Sequence, residues 1–237
     1  MKKIFMALTA AFMLHTASAK SVFANEGRKA GAIADPAEGW SRLFHEVLVD
    51  VTIMGVIFAA ITIYYMLKYK RKSPDQVGSC KKLSAAQMWG WALIPAFVFM
   101  ADDFFLAANT WSLWNIYRKP PAGSYEIEVR AEMWSWNFIY PGGAAAVNEL
   151  RVPAGKPIAL RMTSSDVVHS LYLSDFKVKE DCMPGRVTYY WFYPKVPGEH
   201  VLTCTEYCGA MHSGMYGKVI VMPQEEFDNW LKKETKA

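Results

Sequence analysis

Four side chains that bind transition metals lie close together near the C-terminus of this 237-residue chain. Cys204, Cys208, His212 and Met215 fall within twelve residues and supply two thiolates, an imidazole and a thioether. Soft sulfur ligands combined with imidazole select copper, zinc or iron–sulfur clusters. A mononuclear blue-copper site uses one cysteine, two histidines and a weak axial methionine, whereas here two cysteines lie four residues apart. This spacing suggests two metal ions that share two bridging sulfurs.

Two copper ions would each need one imidazole, so a second histidine must come from another part of the chain. Of the five histidines, His15 lies in a predicted export signal and His45 lies beside a predicted membrane helix. His200 heads a predicted strand whose far end carries the first cysteine, so we expect it to point away from the metal. His169 is therefore the candidate that completes the set with His212.

Other interpretations of the two cysteines remain at this point. A Cys204–Cys208 disulfide is chemically reasonable in an exported domain, but it leaves His212 and Met215 unexplained. Structural zinc sites seldom recruit methionine. A copper-delivery protein also carries paired cysteines, although such a protein must release its metal and seldom closes a site with six ligands. A disulfide-stapled binding module is the fourth interpretation.

The N-terminus is typical of a secretory signal. Lys2 and Lys3 precede an apolar run from Ile4 to Leu14, and residues 17–19 form an A-x-A cleavage motif. The run is too short to span a hydrocarbon core of about 30 Å. We therefore expect a signal peptide at residues 1–19 and an exposed extracytoplasmic segment at residues 20–46.

Two apolar stretches, Val47–Leu67 and Leu83–Ala108, predict a transmembrane hairpin within residues 47–114. The connection from Lys68 to Lys82 has six basic residues and one acid, which places it in the cytoplasm by the positive-inside rule. Both ends of the chain then face the extracytoplasmic side, in agreement with the signal. We expect a multi-pass protein of a bacterial inner membrane.

The remaining residues, 115–237, have the pattern of an all-β domain. Apolar and charged residues alternate from Tyr125 to Met133, which is typical of a half-buried strand, and further short strand-like runs are separated by Pro and Gly. The pattern predicts a β-sandwich or barrel. From Ser124 onward there are 12 Lys and Arg against 14 Asp and Glu, so this domain lacks the basic surface that nucleic-acid binding requires.

The motif Cys-x-Glu-x-Cys-x-x-x-His-x-x-Met that begins at Cys204, with Asp-x-x-His ending at His169, resembles the dinuclear copper A signature of cytochrome c oxidase subunit II. The resemblance extends over most of the mature chain and includes Trp134-Ser135-Trp136. It implies a cupredoxin-like Greek-key barrel outside the membrane. It also implies partners, namely the haem-copper subunit I, other oxidase subunits, and cytochrome c or a similar donor.

The resemblance further implies a site with two copper ions. Its implied ligands are His169, Cys204, the Glu206 backbone carbonyl, Cys208, His212 and Met215. The Glu206 side chain would also help to bind magnesium or manganese at the interface with subunit I. Trp134 is the expected electron-entry residue, whereas Trp136 is assigned to packing. Asp166 corresponds to a position in the family's acidic docking surface for the donor.

The expected function is electron entry into a membrane-bound haem-copper terminal oxidase, in which this subunit passes electrons to the haem subunit for oxygen reduction. The chain alone is not expected to be catalytic. The alternative is the copper A subunit of a haem-copper nitric oxide reductase, which differs mainly in its catalytic subunit.

Overall fold

Three α-helices and ten β-strands follow one another along residues 33–78 and 82–236, the parts of the chain that the computed structural model describes. The helices are α1 (Pro36–Lys68), α2 (Ala85–Tyr117) and α3 (Gln224–Glu234). The described residues divide into two units, one of residues 41–112 and one of residues 33–40 with 113–236. The predicted signal peptide at residues 1–19 lies outside the described residues.

Helices α1 and α2 are apolar and long enough to cross a membrane. Each has 33 residues, about 50 Å at the helical rise, against a hydrocarbon core of about 30 Å. The most apolar 18-residue window of each helix contains no buried residue, so its side chains are not part of a protein core. The exposed apolar surface of both helices therefore fits a lipid environment.

Both helices extend beyond the apolar stretches that predicted them. Helix α1 begins at Pro36, ahead of Val47, because local capping favours a helix there. The Asp35 carboxylate accepts a hydrogen bond from the backbone N–H of Ala37 at 3.0 Å, and proline is well suited to the first helical turn. Hydropathy alone locates the apolar span and not the polar turns that continue it.

The strands form a sandwich of two five-stranded sheets, as the sequence predicted. They are β1 (Tyr125–Glu132), β2 (Ser135–Ile139), β3 (Ala145–Val147), β4 (Glu149–Pro153), β5 (Ile158–Ser164), β6 (His169–Leu173), β7 (Val178–Cys182), β8 (Thr188–Phe192), β9 (Gly198–Cys204) and β10 (Tyr216–Met222). One sheet has the order β3-β2-β1-β5-β8 and the other has the order β4-β10-β9-β6-β7. Each sheet combines parallel and antiparallel strand pairs, and the architecture is the expected cupredoxin-like one.

Alternation along the strands places the core between the sheets. In β1, Ile127, Val129 and Ala131 are buried, whereas Glu128 and Arg130 between them are exposed. The buried side chains of both sheets form one hydrophobic cluster, which is rigid because interiors are close-packed. This core supports the strand ends from which the metal-binding residues project.

The second sheet brings distant parts of the chain together at one end. Strand β9 lies between β10 and β6, with Leu171 of β6 opposite Cys204 of β9. His169, at the start of β6, is therefore near the point where β9 ends and the cysteine-bearing loop begins. On the other side of β6, His169 is opposite Cys182 of β7.

Candidate metal centre

The loop between β9 and β10 carries most of the predicted ligands and is closed at its base by the backbone. The N–H of Cys204 donates to the carbonyl of Met215 at 3.0 Å, and the N–H of Thr205 donates to the carbonyl of Ser170 at 3.0 Å. A short 3₁₀ turn, His212–Gly214, lies before Met215. The two strand ends therefore fix both ends of the loop.

The predicted sulfur and nitrogen ligands converge on one buried position. Sγ of Cys204 is 3.8 Å from Sγ of Cys208 and 4.0 Å from Nδ1 of His169. Sγ of Cys208 is 3.5 Å from Nδ1 of His212 and 3.7 Å from Sδ of Met215. Sδ of Met215 lies 3.2 Å from Nδ1 of His169. The structure thus brings the five side chains together.

A backbone oxygen adds a sixth donor, since the Glu206 carbonyl lies 3.2 Å from Sγ of Cys204. The ligand atoms of His169, Cys204 and Cys208 all lie within 4.8 Å of one another. His169 is completely buried, and Met215 and Cys208 are 2% and 3% exposed. This donor set fits copper, because thiolate, thioether and imidazole ligands are the ones that copper favours.

The geometry of the two cysteines does not correspond to a disulfide. Their sulfurs are 3.8 Å apart and both thiols are free, whereas an S–S bond is about 2.05 Å long. The separation is less than twice a metal–thiolate bond of about 2.3 Å, so one ion can bind both sulfurs. The arrangement therefore favours two thiols that bind metal together over a disulfide.

Burial and the neighbouring Cys204 thiol raise the pKa of Cys208 to about 11. A thiol with such a pKa is protonated at neutral pH, and only a metal ion would make the deprotonated form stable there. We therefore expect copper binding to release a proton from Cys208.

Asp166 is more closely associated with His169 than its predicted docking role implies. Its Oδ1 lies 2.9 Å from Nε2 of His169, and its carboxylate accepts hydrogen bonds from the backbone N–H groups of Met133 and Val167 at 2.7 and 2.6 Å. Nε2 thus donates to Asp166, which leaves the lone pair of Nδ1 of His169 available to a metal ion. Burial acts to raise the pKa of Asp166, but its hydrogen bonds, led by the one from His169, hold it at about 2.

Trp134 lies directly against the cysteine loop. Its Nε1 donates to the carbonyl of Cys208 at 3.2 Å. Gly209 has φ +116°, and a Cβ there would lie 3.3 Å from Cζ2 of Trp134, so a glycine lets the indole approach the backbone. Trp136, by contrast, is completely buried in the core, with its ring centroid 6.1 Å from that of His169.

Two further predicted positions lie at the edge of the site or away from it. Glu206 is exposed, so its carboxylate is free to face solvent or a partner. His200 pairs with Asp175, with Nδ1 2.7 Å from Oδ2, and packs against Phe176; it does not join the donors. The contact between Asp166 and His169 was missed from the sequence, although their spacing of three residues was a signal for it.

The fold and the donor set define a cupredoxin-like domain with a copper-type site. The family model described as Cytochrome C oxidase subunit II, periplasmic domain, matches residues 127–222. The chain is 27% identical to an alternative cytochrome c oxidase subunit 2 of Bradyrhizobium diazoefficiens, over 84% of this chain and 82% of that one. It is 32% identical to a cytochrome bo(3) ubiquinol oxidase subunit 2 of Pseudomonas putida, over 78% of this chain and 58% of the relative.

Among solved structures, the periplasmic domain of subunit II of the cytochrome oxidase of Bradyrhizobium japonicum matches at 29% identity. The match covers 50% of this chain and 98% of that domain, with a TM-score of 0.48. The family match over residues 127–222 and the relatives thus support a likeness of this chain to subunit II of haem-copper oxidases. The part of the chain that matches the periplasmic-domain model is the part that carries the copper-type donor set.

Proposed function

We propose that this chain receives single electrons from cytochrome c, or a similar donor, at a dinuclear copper centre and passes them to the haem-copper subunit I for oxygen reduction. The observation that carries the proposal is the pair of buried thiols 3.8 Å apart, completed by imidazole and thioether donors. The relatives found are named as oxidases, which favours oxygen over the alternative acceptor, nitric oxide.

The proposed ligands follow from which donors lie next to each sulfur. Cys204 and Cys208 would bridge two copper ions. His212 would be the terminal ligand beside Cys208, and His169 the terminal ligand on the other side, with Met215 next to it. The Glu206 carbonyl would complete the set beside Cys204. When bound, such a centre supplies a one-electron acceptor whose charge is shared by two metals.

The surrounding residues keep the donors in place while the charge changes. Cys204 and His169 lie at the ends of adjacent core strands, and Asp166 fixes the His169 ring. Burial keeps water away from these donors. Little therefore has to rearrange when an electron arrives or leaves, since fixed dipoles take the place of mobile solvent.

Trp134 is the proposed entry residue, because it is partly exposed and its indole N–H bonds to the carbonyl of Cys208. Asp166 is the proposed donor-docking acid; because its carboxylate is directed at His169, its negative charge would attract a basic donor mainly through its field. The exposed Glu206 side chain is proposed to bind magnesium or manganese with subunit I.

The proposed topology places the chain in a bacterial inner membrane with both ends outside. The basic connection between α1 and α2 supports a cytoplasmic loop. On this proposal, residues 1–19 are the signal peptide and 20–46 the extracytoplasmic segment. Residues 47–114 are the transmembrane hairpin, and residues 115–237 are the copper domain.

The metal assignment can be tested on the purified full-length chain loaded with copper. We expect two copper ions per chain and a mixed-valence electron-spin signal shared by both metals. Replacing Cys204→Ser or Cys208→Ser should abolish that signal, whereas Cys182→Ser, a matched change at a buried thiol outside the donor set, should preserve it. One copper per chain, or a full signal in either ligand variant, would disprove the assignment.

The acceptor can be tested on the complex that copurifies with the chain. We expect reduced donor to drive consumption of oxygen, measured with an electrode. Consumption of nitric oxide without consumption of oxygen would favour the alternative acceptor.

A further inference from the structure

The candidate copper site has a restricted entrance. Cys204, Cys208, Met215 and His169 are all buried, and of the clustered side chains only His212 is partly exposed. His212 is therefore the most accessible of these side chains to an ion that arrives from solvent. The side chains around His212 determine which form of copper can be held there.

Two exposed methionines adjoin the cysteine loop, one beside His212 in sequence and one beside Gly209 in space. Met211 is 58% exposed and directly precedes His212, and its carbonyl caps the 3₁₀ turn that carries His212 by accepting from the N–H of Gly214 at 2.9 Å. Met133 is 46% exposed, and a Cβ placed on Gly209 would lie 3.7 Å from its sulfur. The Met211 thioether thus belongs to the residue before His212, and the Met133 thioether lies next to Gly209, the residue after Cys208.

Both positions are held by the same contacts that shape the site. The backbone N–H of Met133 is bound to Asp166, the residue that orients His169. Exposure alone assigns a methionine no role, because single apolar side chains are common on protein surfaces; these two are distinguished by their positions beside His212 in sequence and beside Gly209 in space. A thioether is a soft and weak ligand that prefers Cu(I) to harder ions, so it can hold the ion and then release it.

We infer that Met133 and Met211 form a Cu(I) entry station that captures the incoming ion and transfers it to Cys208 and His212. The transfer is a ligand exchange: Cu–thioether bonds break, Cu–thiolate and Cu–imidazole bonds form, and the thiol proton leaves to solvent. The ion stays Cu(I), so no electron donor or acceptor is required. The inference rests on the proposed copper function, and adds the oxidation state and the route by which the metal arrives.

The test follows copper uptake by the full-length apo chain in detergent under anoxic conditions. Cu(I) is presented from a competing chelator, and bound copper is measured over time after rapid separation. In the double variant Met133→Leu/Met211→Leu, which keeps side-chain volume nearly constant, we expect uptake to be severalfold slower while the final copper content equals that of the parent. The matched control is Met88→Leu/Met100→Leu, which removes two exposed methionines of α2 and should leave the rate unchanged.

Zn(II) uptake by the same proteins provides a second measurement, because Zn(II) binds thiolate and imidazole but seldom thioether. We expect the double variant to take up Zn(II) at the parent rate, which would show that the loop is intact and the defect specific to Cu(I). Equal Cu(I) rates in the double variant and the parent would overturn the inference, as would an equal slowing for both metals. If the parent chain binds no copper at all, the proposed function fails instead.

Discussion

Replacing Asp166→Asn changes one atom type at the residue that supports His169. The carboxylate accepts from Nε2 of His169 at 2.9 Å, from the N–H groups of Met133 and Val167 at 2.7 and 2.6 Å, and from the Ser164 hydroxyl at 3.2 Å. Asparagine has one oxygen and one NH₂ group, so in either orientation its NH₂ faces a donor. A hydrogen bond to a charged group contributes about 1.5–3 kcal/mol.

We therefore expect Asp166→Asn to lower the free energy of unfolding of the extramembrane domain by about 2 kcal/mol. The metal site should be affected as well. If the NH₂ group faces His169, Nε2 must accept rather than donate, and the ring proton moves to Nδ1, the proposed metal-binding atom. Loss of such a supporting hydrogen bond typically lowers metal affinity by about 10–100-fold, which corresponds to about 1.4–2.7 kcal/mol.

Competitive copper titration against a coloured chelator measures the affinity, and thermal unfolding of the apo chain measures the stability. The matched control is Asp175→Asn, which makes the same change beside His200, where the carboxylate is 2.7 Å from the ring nitrogen. Asp175 is 57% exposed, so we expect a loss of no more than about 1 kcal/mol and unchanged copper affinity. Equal copper affinity in the two variants would refute the argument that Asp166 orients His169.

Three further predictions concern electron entry, the membrane helices and the third buried thiol. Trp134→Phe should slow reduction by the donor in stopped-flow experiments without changing the copper absorption spectrum, whereas an unchanged rate would reduce Trp134 to a packing residue. Each ionised carboxylate near the bilayer centre costs about 2.5–3.5 kcal/mol, so we expect Asp102 and Asp103 to face a partner subunit or water and not lipid. The double variant Asp102→Asn/Asp103→Asn should lower oxidase turnover at constant copper content. Normal turnover would show that the two carboxylates have no functional role. Burial raises the pKa of Cys182 to about 12, so mass spectrometry should find it unmodified by a thiol reagent at pH 8 in the folded apo chain, and rapid modification would contradict its burial.

Much of the candidate site could be predicted because one short segment carries most of it. Cys204, Cys208, His212 and Met215 lie in a single loop, and residue types at close spacing need no knowledge of the fold to be recognised. His169 came from elimination among five histidines and from the family resemblance. The structure adds the reason, which is that β6 and β9 are neighbours in one sheet.

The strands that hold the site were harder to predict than the site itself. Strand β6 has four of its five residues buried, so it lacks the alternation that revealed β1. Strand β7 is a short edge strand with Lys179, Glu180 and Asp181 in sequence, which is untypical of β-structure. Alternation of apolar and polar residues detects a strand that has one face in solvent. It fails for a strand such as β6, which is almost completely buried, and for a charged edge strand such as β7.

Asp166 shows why a residue's type indicated a role but not its contacts. As an acid beside a copper ligand it was assigned to an acidic docking surface, yet its carboxylate bonds to His169 and to the backbone of Met133. The latter residue precedes Trp134, which is itself bonded to the carbonyl of Cys208. One carboxylate thus fixes both a proposed copper ligand and the segment that carries the proposed entry residue. The Asp166 contacts therefore hold both the proposed electron-entry residue Trp134 and the proposed copper ligand His169 in fixed positions. No local sequence pattern could have revealed the hydrogen bond between Met133 and Asp166, because these residues are 33 positions apart.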